Sequence, residues 1–134
     1  MFIPYFRDPV KLYIDPEVYF AVPYLLLSIP LNVLLPWIIA AIIHECGHIF
    51  FLYLFNGKLS KIRITIGGAI ITGSDLGCPH NIACSLAGPA IGILPVFFVR
   101  YIPVIGLFSL VLTVYNILPL YPLDGGRILR ILCS

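Results

Sequence analysis

The chain has 134 residues, 60% hydrophobic and only 10% charged, with a formal net charge of +2 and a mean hydropathy of +1.05. A soluble domain carries about 25% charged residues, so an ordinary water-exposed globule is excluded and lipid is the expected solvent. The small net charge excludes a nucleic-acid footprint, and the length suits one membrane-embedded domain spanning 1–134.

Residues 1–17 mix aromatic residues, prolines and charges, and Tyr5, Phe6, Tyr13, Tyr19 and Phe20 suit a membrane interface. Asp8, Asp15 and Glu17 interrupt this stretch, and no small-x-small site follows the apolar stretch 18–31. The hydrophobic segments are therefore expected to be permanent, with no cleaved signal peptide. Val18 to Phe55 is almost uncharged, yet as one helix it would run roughly 57 Å at ~1.5 Å per residue, against a bilayer core of about 30 Å. The run must break, and Ser28-Ile29-Pro30-Leu31-Asn32, with Pro36 beyond, is the place. The expected helices are 18–31, near or below spanning length, and 33–55, ended by Asn56-Gly57.

Lys61 to Ile66 alternates polar and apolar residues, Gly67-Gly68 follows, and Ala69 to Thr72 is again apolar. This pattern predicts a β-hairpin turning at the two glycines. Further helices are expected over 82–99, closed by Arg100 and Pro103, and over 104–118. Four crossings put Arg7, Lys11, Lys58, Lys61, Arg63, Arg127 and Arg130 on one side, leaving Arg100 opposite. That distribution predicts cytoplasmic N- and C-termini. Cys46, Cys78, Cys84 and Cys133 form no CxxC pair and read as small, buried, reduced thiols.

His44-Glu45-Cys46-Gly47-His48 matches HExxH. Histidines at i and i+4 share a helical face and can bind one metal ion, while Glu45 beside them can take a proton from water. Three ionisable residues in an otherwise uncharged apolar run are functional by default, because an unpaired charge in lipid costs several kcal/mol. A polar clamp between helices is the plainer explanation and accounts less well for all three.

A catalytic zinc needs a third protein ligand and an open position. Leu54 stands where a third histidine would extend the motif, and Glu17 and Glu45 are the only glutamates. The candidates downstream are Asp75, Cys78, His80 and Asp124. The first three lie in a polar loop that reads more readily as a solvated turn. Asp124 follows an apolar segment in which Pro119 and Pro122 forbid a regular helix, while Gly125-Gly126 permits a sharp turn. Irregular backbone at membrane depth survives only in protein or beside a watery cavity. Asn116, just before this break, offers an amide to the same place or to a neighbouring helix.

The pairing of HECGH at 44–48 with NILPLYPLDGGR at 116–127 resembles the site-2 protease family of intramembrane metalloproteases, most of all its compact branch that includes bacterial sporulation-factor proteases. Ser85-Leu86-Ala87-Gly88-Pro89 is similar to a family segment opening the third core helix. Gly92 stands where many members carry an asparagine. Lys11 to Pro16 resembles the family's approach to its first helix.

The resemblance implies an all-α polytopic membrane protein of about four transmembrane helices, with a three-helix catalytic core and the small β-hairpin after the second. It implies one zinc per chain held by His44, His48 and Asp124, Glu45 as general base, and Asn116 holding substrate or the developing oxyanion. The expected substrate is a single-pass membrane protein cut within or near its membrane segment, in a bacterial cytoplasmic membrane. A strand near 61–72 could pair with unwound substrate. The end of the chain at Ser134 suits either a minimal or a truncated member. An inactive metal-binding relative would not need Glu45. A transporter fragment would show repeated halves, and an oligomer built on Gly88-x3-Gly92 leaves both motifs unexplained.

Overall fold

The computed structural model describes residues 9–66, 68–121 and 123–133. Tyr5, Phe6, Arg7, Asp8, Gly67 and Pro122, which enter the expectations above, lie outside them. The apolar run breaks where its prolines require. Helix α1 (Pro16–Ser28) ends two residues before Pro30, and Ile29 is extended. Helix α2 (Leu31–Leu54) then runs unbroken for 24 residues. Pro36 does not stop it: it falls in the second turn, where it costs α2 the one hydrogen bond to the Asn32 carbonyl.

Asn56 carries the left-handed backbone that ends α2, at φ 55. Gly57 serves space instead: a Cβ there would meet the Leu52 side chain at 2.5 Å. The hairpin follows as β2 (Leu59–Thr65) and β3 (Gly68–Gly73), antiparallel, closing with Thr65 opposite Gly68. Gly68 has φ 129, a conformation that favours glycine. The sequence pattern did not anticipate β1 (Lys11–Ile14), which pairs in parallel with β2 and makes a three-stranded sheet. Asp15, just after β1, accepts two hydrogen bonds from Arg63 of β2 at 2.8 and 3.1 Å. The all-α expectation is corrected to a mostly helical fold with this sheet.

The remaining helices are α3 (Cys78–Gly92), the short α4 (Leu94–Phe97), α5 (Pro103–Ile117) and α6 (Asp124–Leu132). The expected 82–99 helix thus begins four residues earlier and bends at Ile93, ahead of Pro95. Helix α6 was not expected. Gly125 and Gly126 lie within it and do not make the sharp turn predicted. Their missing side chains let α6 approach the Ile117 and Leu120 backbone. Among the described residues, two helical segments, Leu31–Leu54 and Cys78–Phe97, are long and apolar enough to cross a membrane. Helices α1 and α5, of 13 and 15 residues, fall short of the roughly 20 that a perpendicular span needs.

The packing has the character of a protein dissolved in lipid. Large apolar side chains such as Phe20, Leu27, Phe97 and Tyr101 point outward, whereas the buried positions include Ala40, Ala87, Ser109 and Thr113. Gly106, Ser109 and Thr113 form the buried face of α5. Small residues let helix backbones approach where lipid removes any hydrophobic drive between helices. The thiols depart from expectation: Cys46, Cys78 and Cys133 are exposed and Cys84 is half-buried, all of them free.

Candidate metal centre

Helix α2 carries His44 and His48 one turn apart, both buried, at 3% and 9% exposure. Asp124 opens α6 and is also buried, at 5%. Its Oδ2 lies 3.0 Å from His44 Nε2 and 3.1 Å from His48 Nε2, and the two nitrogens are 3.3 Å apart. Three ligand-type atoms from residues up to 80 positions apart in sequence thus converge on one point.

The spacing suits a metal. A tetrahedral ion with bonds of about 2.05 Å sets its ligand atoms ~3.3 Å apart, and the observed triangle is close to that. The donor set fits too: two imidazoles and one carboxylate make a three-ligand zinc site with a position open. His48 Nδ1 donates to the Cys84 carbonyl at 2.8 Å, which turns the Nε2 lone pair toward Asp124. A fixed tautomer of this kind is usual for metal-binding histidines. His44 Nδ1 has no such partner among the described residues and lies against Gly92, where a Cβ would approach to 3.0 Å.

Three glycines make this centre possible. A Cβ on Gly47 would meet the Ala87 carbonyl oxygen at 2.5 Å, so α2 and α3 touch backbone to backbone there. A Cβ on Gly88 would strike the His48 ring and come within 2.8 Å of His44 Nε2. Gly88-x3-Gly92 therefore faces the two imidazoles of its own chain.

Glu45 is half-buried beside the two histidines and within electrostatic reach of His44, His48, Asp124 and Arg127. Asn116 donates its Nδ2 hydrogen to the Leu112 carbonyl of its own helix at 2.9 Å, and no hydrogen bond joins it to His44, His48 or Asp124 among the described residues. The other ligand candidates stand apart. The Asp75 carboxylate accepts from the Gly77 backbone N–H at 3.0 Å and the Asn81 amide at 2.7 Å, which hold its pKa below the ordinary value. His80 packs edge-on against Phe55, and Cys78 is exposed.

A cavity of about 390 Å³ opens beside His48. Its walls include Ile71 and Gly73 of β3, Cys84 of α3, Tyr121, and Arg127 and Arg130 of α6. Sequence reasoning passed over these two arginines as topology markers. Their place three residues apart after Asp124, on a helix opening at the ligand, is the signal that would have found them.

Residues 74–134 match the family model of Peptidase family M50. The match begins after HECGH and includes Asp124. A curated zinc metalloprotease of Methanocaldococcus jannaschii is 26% identical over 110 residues, covering 72% of this chain and 32% of the relative. The chain therefore spans about a third of that protein's length. Among solved structures, the site-2 protease from Methanocaldococcus jannaschii superposes with a TM-score of 0.71 at 22% identity, over 88% of this chain and 62% of that one.

Proposed function

We propose that the chain is an intramembrane zinc endopeptidase of the site-2 protease type that cuts peptide bonds within or near the membrane segments of single-pass proteins, a reading supported by the Peptidase family M50 match over residues 74–134 and by the shared fold. The observation that carries this reading is the triangle of His44, His48 and Asp124 side-chain atoms with Glu45 on the adjacent helix position. In this reading the three residues hold one zinc ion, which supplies Lewis acidity toward the scissile carbonyl and toward water.

The chain's own groups do the rest. Hydrogen bonding to the Cys84 carbonyl keeps the His48 ring oriented. Glu45 takes the proton from the attacking water and returns it to the leaving amine, as a positioned carboxylate can. Its half-buried place limits competition from bulk water. Asn116 turns its amide from Leu112 toward the substrate carbonyl as negative charge develops there. The open side of β3 receives the substrate as an added strand, since a helix must unwind before its peptide bonds can be attacked. Four crossings, with both termini on the cytoplasmic side of a bacterial membrane and the centre on that side, complete the reading. Regulated proteolysis, in which a first cut elsewhere precedes this one, is the process proposed.

The test is direct. The chain is purified in detergent, its zinc is counted, and cleavage of a model transmembrane substrate is compared with that by Glu45→Gln. One zinc per chain with cleavage lost in the variant is expected. Zinc retained by both with no cleavage by either would make the chain an inactive metal-binding relative. Cleavage unchanged by proline at Ile64 would remove the strand-addition step.

A further inference from the structure

Arg127 lies one helical turn after Asp124 and donates from Nη2 to the Ile71 carbonyl of β3 at 3.3 Å. The sheet order is β1-β2-β3, so among the described residues β3 is paired on one side only. Backbone groups of alternate residues in a strand face opposite edges. An Ile71 carbonyl that reaches Arg127 therefore faces the open edge, and the backbone groups of Ala69 and Gly73 face the same way. Arg127 and Arg130 both line the cavity between this edge and His48.

Glu45 lies within electrostatic reach of Arg127, but among the described residues no carboxylate closes on either cation and neither makes an ion pair. The remaining acid on the cavity wall, Asp75, is engaged with Gly77 and Asn81. Arg130 has its guanidinium 5.7 Å from the centre of the Tyr121 ring. A guanidinium carries five N–H donors in a flat fork that matches a carboxylate. One long bond to a neutral carbonyl leaves most of the Arg127 fork unused, in a half-buried place where unpaired charge is unfavourable.

We propose that Arg127 and Arg130 form a carboxylate subsite: the substrate strand that pairs with the open edge of β3 carries an acidic side chain, gripped by these arginines beside the metal centre. This rests on the protease reading and its strand-addition step. It makes the arginines specificity-determining residues, selecting substrates with an Asp or Glu flanking the apolar segment. A lipid phosphate is the other anion a membrane offers. The peptide is favoured because Arg127 is tied to a strand edge inside the cavity that His48 also lines, and does not stand on the outer apolar surface.

The experiment measures peptide binding by fluorescence anisotropy to the full chain carrying Glu45→Gln, in neutral detergent. The labelled peptide is an apolar segment with Asp scanned through its flanks, compared with Asn at the same positions. At one position Asp is expected to bind roughly tenfold more tightly than Asn. Adding Arg127→Gln and Arg130→Gln erases that difference, and Arg127→Glu shifts preference to a Lys peptide. Zinc content and melting temperature accompany every variant. If Arg127→Gln disturbs either, the more exposed Arg130→Gln alone must reduce the Asp preference.

Equal binding of Asp and Asn peptides at every position overturns the subsite, as does a preference that survives both arginine changes. Equal binding together with loss of anionic-vesicle binding in the double variant assigns the arginines to lipid headgroups and also overturns it. The two readings fail separately. Cleavage of Asp and Asn peptides alike by the chain with Glu45 intact sinks the subsite and leaves the protease. An Arg127-dependent Asp preference with no cleavage of any peptide does the reverse.

Discussion

HECGH and LDGGR bring three candidate metal ligands to one point by different means. The two histidines need only a helix: their four-residue spacing sets both rings on one face whatever surrounds them. Asp124 needs everything else. It reaches the histidines from a separate helix, across the break at Leu118–Pro119, and only because Gly125 and Gly126 let α6 press onto the Ile117 and Leu120 backbone. One half of the site is local and robust. The other is tertiary and depends on space left at particular glycines.

This contrast can be broken at several depths. The largest effect is expected from the ligands themselves. His44→Ala and Asp124→Ala should each weaken zinc binding by more than the ~10–100-fold typical of losing a supporting partner, read by metal analysis after dialysis. Equal loss from both would show that the tertiary half is as necessary as the local one. Full zinc in Asp124→Ala, with zinc lost in His80→Ala, would put the third ligand in the polar loop.

Next come the glycines. Gly88→Val drives a branched side chain into both imidazoles, and Gly125→Ala sets a methyl against the Ile117 carbonyl. Each should cost about 1–3 kcal/mol of stability, seen as a lowered melting temperature in detergent. The contrast sharpens if far-UV circular dichroism shows α2 still helical while zinc is lost. Asn116→Ala should then leave zinc untouched and lower kcat by roughly tenfold or more with little change in KM, as loss of a transition-state donor does. An unchanged kcat would confine Asn116 to its bond with Leu112.

The smallest effect belongs to the loop that does not join the centre. Asp75 has a lowered folded-state pKa, held by the Gly77 N–H and the Asn81 amide. Its stabilising contribution is therefore present above the ordinary carboxylate value of 3.8 and disappears as pH falls through the lowered one. Asp75→Asn should melt slightly below the parent at neutral pH and converge with it in strong acid, with zinc unchanged. A loss of zinc in this variant would join the loop to the site.

Much of the secondary structure was legible because it follows local rules. The break at Ile29-Pro30, the hairpin strands, the end of the last long helix before Pro119 and the uncharged helix bearing three ionisable residues all follow from residue types within a few positions of one another. Strand β1 was missed because four exposed residues carry little pattern of their own, and their partner in β2 lies 50 residues onward. Helix α6 was missed because two adjacent glycines usually mark a turn. Here they mark a close approach, which no local pattern distinguishes from flexibility. The cysteines were expected inside on polarity, but Cys46, Cys78 and Cys133 are exposed, as are many of the large apolar side chains.

The sequence alone determined that the chain is apolar and poor in charge and that His44, Glu45 and His48 share one short stretch of helix, because composition and helical periodicity are local quantities. It narrowed the third ligand to four residues and could not choose among them from spacing. Only the tertiary structure brought Asp124 to the histidines and set Asp75, Cys78 and His80 aside. It also faced Gly88 and Gly92 to the imidazoles and opened the arginine-lined cavity beside β3. Contacts spanning 76 and 80 residues depend on how helices pack, and packing is decided by the whole chain at once.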